Sequence, residues 1–383
     1  MHQIHGRVVR VLCLGGALIA TGALRAQAPE PPILRGRIDL TIGGANASDD
    51  ATFGRISGLA VDATGRVFVA DWQDLRIHVF SPTGQALSKI GRPGSGPLEF
   101  RQLATIGFGP DRRLWTRDEG NARMQAIEVA AKAPRFVKQV PLQQFTGGSR
   151  LPLTFGVQGE MFDESIWFDT QQKTFRPLRV RRGADGSVQR VDTLPIPPHA
   201  FSGTHKVISP QRDAAGKVIG MAERFYHQPF GPQWLRAYGP GGVRAEVVTA
   251  GYDVRVYGPD GRLLRSLARR VPAVAPSARE RRHGDSVLAE AKAPLPFGVP
   301  RAKAPIVGLV WTQDGQLWVE RAVADGRPRE ADVYDRQGAR VATTQWQSTL
   351  DLLGGFPVII DNTVVAVSSD ADGIERVVRV RFR

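Results

Sequence analysis

An all-β chain built from one repeated, ring-closing unit is what this sequence predicts, on three observations. The first is a recurring strand–turn–strand pattern, VFSPTGQAL at 79–87, VYGPDGRLL at 256–264 and VYDRQGARV at 333–341, with Gly84, Gly261 or Gly338 where the turn needs positive φ. The second is an alternating strand after a turn, GRVFVAD at 65–71, RRLWTRD at 112–118 and GQLWVER at 315–321, with Phe68, Trp115 and Trp318 in equivalent places. The third is an unpaired strand near the N-terminus, RGRIDLTI at 35–42, set against a last unit that shows strands only at 356–360, 363–369 and 374–382. Such closure hides sheet edges. The expected architecture is a six-bladed β-propeller of four-stranded blades, its ring closed by that N-terminal strand joining the last blade.

The chain of 383 residues begins with Arg7 and Arg10, an apolar stretch from Val11 to Ala23, and small residues at Ala26 and Ala28. Residues 1–26 read as a secretory signal and 27–34 as a short leader, with cleavage after Ala26 favoured over Ala28 because of Pro29. The protein is expected to be exported to the periplasm or beyond the cell, with no membrane span once the signal is cut. Cys13, the one cysteine, falls inside the signal, so disulfide frameworks and multi-cysteine metal sites are excluded from the mature chain.

Residues 35–383 are expected to form one propeller domain, with units at 56–91, 103–140, 151–194, 232–269, 306–346 and 356–383. Two insertions interrupt it. Residues 195–231 predict an extra hairpin around DAAG at 213–216. Residues 270–305 predict a short helix over 278–291, because Ser277 and Glu280 form a capping-box pattern after Pro276. Both are expected to act as lids or braces.

The segment ISGLAVDATGRVFVAD at 56–71, followed by LRIHVF at 75–80, resembles the NHL repeat. GRPGSGPLEF at 91–100 resembles the glycine-rich linker that joins early blades in bacterial propellers of that type. The resemblance implies a six-bladed propeller and is functionally open. The wider superfamily includes lactonases and amidating lyases that hold a divalent metal at the channel mouth, whose ligand residues do not carry over onto this chain one by one.

Formal charge is +14, and removing residues 1–26 takes away Arg7, Arg10 and Arg25 and no acid, leaving +11. The basic residues are scattered, as in VRVRFR at 378–383, so sequence-specific nucleic-acid binding is not expected. Weak attraction to acidic surfaces or glycans is. The sequence holds no HExxH, GxSxG or phosphate-loop signature, and His78, His199, His205, His227 and His283 are not paired at ligand spacing.

In a propeller the loops between the second and third strands, and those between blades, gather on one face around the channel, where binding sites form. That face should carry Trp72, Arg101, Arg117, Glu119, Glu320 and Arg321 as ligand-binding residues. Trp72 supplies apolar area; the arginines supply charge-assisted hydrogen bonds to an anionic or hydroxylated group. Asp71, Asp118, Asp169 and Asp370 have an ordinary role in organising turns, and would be metal ligands only if the protein were an enzyme. The favoured reading is an exported, non-catalytic, monomeric binding propeller without a cofactor, its partner a protein, a glycan or an anionic small ligand. The alternative is a metal-dependent hydrolase or lyase with a divalent metal held by those carboxylates.

Overall fold

The strand Ile33–Gly43 does what its alternation predicts: its residues 36–43 pair antiparallel with Glu375–Phe382 as the fourth strand of the last blade. Its first residues, 33–35, run parallel to Arg340–Trp346, the outer strand of the preceding blade. One strand therefore closes the sixth blade and fastens it to the fifth, producing a continuous eight-stranded sheet. The sequence did not announce the parallel clasp.

In the computed structural model the described residues are 30–45, 47–129, 133–142, 154–169, 174–355, 357–370 and 372–383. Pro32–Arg383 forms one unit. The signal segment 1–26, and residues 27–29 of the leader, lie outside the described residues.

Four further four-stranded antiparallel sheets complete a six-bladed propeller. Counting outward from the channel, blade 1 comprises Ile56–Val61, Val67–Asp71, Arg76–Phe80 and Ala86–Ile90. Blade 2 comprises Leu103–Phe108, Leu114–Asp118, Arg123–Glu128 and Arg135–Pro141. Blade 3 comprises Thr154–Phe155, Met161–Asp169, Thr174–Arg182 and Val188–Thr193, and blade 4 Trp234–Tyr238, Arg244–Val248, Asp253–Tyr257 and Leu263–Ala268. Blade 5 holds Ile306–Trp311, Leu317–Arg321, Arg329–Tyr334 and Arg340–Trp346; blade 6 holds Val358–Ile360, Thr363–Ser369, Glu375–Phe382 and the N-terminal strand.

The repeat residues explain why these blades stack. Phe68, Trp115 and Trp318 lie at the same point of the second strand and are all buried, each packing into the gap between adjacent blades. Gly84 has φ +86°, and a Cβ there would meet Leu40 of the closing strand at 2.7 Å, so both turn geometry and close approach demand glycine. The 91–100 linker is a blade connection, with Arg92–Pro93 paired to Glu99–Phe100 and the Phe100 ring fully buried.

Among the described residues, apolar clusters fill the interfaces between blades 6 and 1, 1 and 2, 2 and 3, 4 and 5, and 5 and 6. Blades 3 and 4 are joined differently. Glu164 accepts bonds from Arg236 and, at 2.5 Å, from the Tyr238 hydroxyl, while the buried Arg179 donates to the Gly258 and Gly242 carbonyls. Burial, with Glu164 alongside, holds the Tyr238 hydroxyl protonated far above its ordinary range, so it remains a donor.

Both insertions leave the ring from the end of a fourth strand and return at the start of a first strand, and so rise from one face. The first forms the hairpin Thr204–Arg212 with Val218–His227. The second holds the helix Ala278–Ala289, whose Ser277 hydroxyl accepts from Glu280 N while Glu280 accepts from Ser277 N. This insertion is a brace: Lys303 bonds Glu280 at 2.5 Å and the Val323 carbonyl at 2.9 Å, and Arg279 pairs with Asp325.

Candidate functional site

The second strand of each blade ends, and the third begins, on the face where the first strand starts, so the predicted loop residues do share a face. Their chemistry differs from one to the next. Asp71 is buried, and its carboxylate accepts from the backbone N–H of Gly54 (2.7 Å), Arg55 (3.2 Å), Gln73 (2.9 Å) and Asp74 (3.1 Å). Asp118 repeats the arrangement one blade on, with N–H groups of Arg101 and Gln102 and the Asn121 side chain. Each ties the lead into its blade to the loop beyond the second strand, which is why the motif recurs. Asp370 closes a turn on the N–H groups of Asp372 and Ile374. Asp169 ends its strand opposite Thr174, and its side chain lies outside the described residues.

Four of the predicted ligand-binding residues are committed to structural ion pairs. Arg117 is buried and donates to Glu119 at 3.1 Å and to Asp163 of blade 3 at 2.6 Å, so Glu119 is drawn into the same clasp. Arg321 bonds Glu330 at 2.6 Å and lies 3.3 Å from Asp332. Glu320 is buried with Arg329 at 2.6 Å, which in turn reaches Asp351 at 3.0 Å. Trp72 and Arg101 stand open. Trp72 is 42% exposed, with the Arg55 guanidinium 5.8 Å from its ring centre.

Burial pushes the Glu320 carboxyl up to about 7, against the opposing pull of Arg329. The folded state then holds a proton that the unfolded chain releases near 4.5, so Glu320 makes stability fall as pH rises from about 4.5 through 7. Glu320→Gln should remove that slope. Relative to wild type, it is expected to gain up to about 3 kcal/mol between pH 5 and pH 8. Urea unfolding of both proteins at the two pH values checks this; parallel profiles would show that Glu320 is ionised throughout.

The sequence missed an open groove of about 540 Å³ on blade 1, lined by Asp49, Thr52, Gly54, Asp71, Gln73, Asp74, Arg76, His78 and Lys89. Arg76 and His78 are two apart on the third strand and Lys89 sits opposite His78, so all three project from one face of the sheet. That alternation was the available signal. Arg76 and Arg123 are copies of one motif position with opposite fates. Arg123 is buried and donates to the Gly96 and Glu99 carbonyls of the glycine-rich linker. Arg76 has a different lead before its blade; among the described residues its ion pair is with Asp74 at 3.6 Å, and its side chain is 39% exposed. His78 stacks on Phe80 and edges Phe53, with Nε2 3.3 Å from Asp74. Among the described residues no three His, Cys, Asp or Glu side chains gather as a metal site, and no helix is long and apolar enough to cross a membrane.

The DUF5128 family model, described as a 6-bladed beta-propeller, matches residues 46–112, which hold blade 1, its lead and the start of blade 2. No curated protein matches the chain. Among solved structures it is similar to a Bacteroides fragilis protein whose name records inferred export, at 10% identity and TM-score 0.44, covering 92% of this chain and 99% of that one. It is also similar to the PQQ-bound aldose sugar dehydrogenase of Streptomyces coelicolor, at 14% identity and TM-score 0.42, covering 92% of this chain and 100% of that one. A third is a catalytically inactive virginiamycin B lyase from Staphylococcus aureus with quinupristin, at 11% identity and TM-score 0.41, covering 90% and 99%. The six-bladed propeller rests on this chain's own strand pairing and on the family match.

Proposed function

We propose that the protein is an exported, non-catalytic binding propeller, built on repeats of the NHL type, that takes an anionic or hydroxylated ligand on the loop face of blade 1. The observation that carries this reading is the divergence of Arg76 from Arg123: the motif arginine that blade 2 spends on its linker is left open in blade 1, beside Lys89 and His78. Arg76 lies 3.6 Å from Asp74 and Lys89 3.6 Å from Asp50, so the groove, its floor fixed by the Asp71 bonds and its lining shared with Asp49, offers both cationic donors and carboxylate acceptors to an anionic or hydroxylated ligand. Trp72, in the loop beyond the second strand of blade 1, and Arg101, in the lead into blade 2, are exposed loop residues of the same face. Arg117, Glu119, Glu320 and Arg321 support the face as braces between strands and blades, and Asp71, Asp118 and Asp370 organise its loops.

Their occupied lone pairs favour this role over metal ligation: the Asp71 oxygens already face four N–H donors, which a cation would have to displace. Arg76→Ala and Trp72→Ala are each expected to weaken binding by about 1–3 kcal/mol with little change in melting temperature. The test is a screen of acidic oligosaccharides and anionic peptides by calorimetry, with and without EDTA. Affinity that survives EDTA and falls in both variants supports the reading. Stoichiometric calcium or zinc required for turnover would return the carboxylates to a catalytic role.

A further inference from the structure

Among the described residues the hairpin Thr204–Arg212 with Val218–His227 pairs with no other strand. Its register puts Lys206 opposite Phe225, Ile208 opposite Glu223 and Pro210 opposite Met221, and these six side chains form one face of the ribbon. Ile208, Met221 and Phe225 are 51%, 61% and 52% exposed, and Ile219, at 60%, extends the row. On the other face His205, Val207, Ser209, Ala222 and Tyr226 are partly covered, while Arg224 and Gln211 are exposed. A two-stranded ribbon is marginal in water, and a contiguous apolar face on it marks a surface that something covers.

We infer that this face is covered by the same face of a second copy, the two hairpins stacking about a two-fold axis. The charge pattern identifies the occupant. The only charges on the face's central rows are Lys206 and Glu223, which lie on diagonal positions and bond within one copy at 3.1 Å. Such a plus–minus pair at the centre of an apolar patch is self-complementary: a two-fold axis between them sets Lys206 of each copy over Glu223 of the other. The exposed halves of the four large side chains offer on the order of 400 Å² per copy, about half of what one partner contributes to a standard interface, with the rim left to supply the rest. A weak, concentration-dependent dimer follows, in place of the monomer expected from the sequence. It would leave the blade 1 groove free, since the hairpin rises between blades 3 and 4.

Sedimentation velocity of the purified protein over roughly 1–200 µM should show a monomer–dimer equilibrium. Met221→Asp should abolish the dimer without lowering the melting temperature, because the side chain is exposed in the monomer. Lys206→Glu and Glu223→Lys should each weaken self-association by about tenfold or more, and mixing the two variants should restore a heterodimer. A monomer at every concentration overturns the inference, and so does a dimer indifferent to Met221→Asp. Failure of the mixed variants to pair would show that the face meets a different surface.

Discussion

Deleting residues 33–43 is expected to cost the propeller most of its stability, at least about 5 kcal/mol. The strand gives up its antiparallel pairing with Glu375–Phe382 and its parallel clasp on Arg340–Trp346 together. It also removes the buried Ile42 from the cluster between blades 6 and 1, and uncovers the edge that holds Val378, Val380 and Phe382. A further fastening goes with it: Asp39 pairs with Arg379 at 2.8 Å and Arg381 at 2.5 Å. A milder version separates closure from bulk. Ile42→Ala should cost about 2–4 kcal/mol through its cavity alone while the strand stays paired. Chemical denaturation of the three proteins checks this; a truncated chain as stable as Ile42→Ala would mean that the ring is held by blade stacking and not by the strand.

That strand was legible because the evidence for it is local or additive: a period-two pattern with no partner, and a last unit one strand short. The turn glycines 84, 261 and 338 and the buried aromatics 68, 115 and 318 were legible for the same reason, since turn chemistry and alternation are written within about ten residues. The site was less legible because its side chains are decided by partners far along the chain. Nothing near Arg117 announces Asp163, which lies in the next blade and fixes its guanidinium. Glu320 and Arg321 look alike as strand-end charges, yet Arg329 claims one and Glu330 the other through a cross-strand register set by a longer loop. The groove at Arg76 depends on the lead that carries Asp49 and Thr52, whose course no periodicity specifies. The aspartates fared better: a carboxylate recurring at the end of the second strand is more economically a loop clamp than a ligand, and Asp71 and Asp118 are clamps.

The same dependence on distant partners makes Asp332 the most consequential single side chain. It is fully buried between blades 4 and 5, receives the Tyr252 hydroxyl and Arg269 at 2.7 Å each, and lies 3.3 Å from Arg321 and 3.5 Å from Arg340. Burial, reinforced by this carboxylate, holds the Tyr252 hydroxyl protonated well above its ordinary range, so it serves as a permanent donor to Asp332. Asp332→Ala removes the one acceptor shared by three guanidinium groups and leaves them facing each other in a packed interface. The expected cost is about 3–5 kcal/mol, towards the lower end because Arg269 and Arg340 keep some access to water. Tyr252→Phe removes a single neutral donor from the same carboxylate and should cost only about 1–1.5 kcal/mol. Asp332→Asn keeps the shape and part of the acceptor capacity without the charge, so it should fall between the two. If unfolding measurements order the variants this way, the charge at the interface is what fastens blade 4 to blade 5. Equal losses for Asp332→Ala and Tyr252→Phe would instead assign the fastening to the apolar cluster around Val254 and Val319.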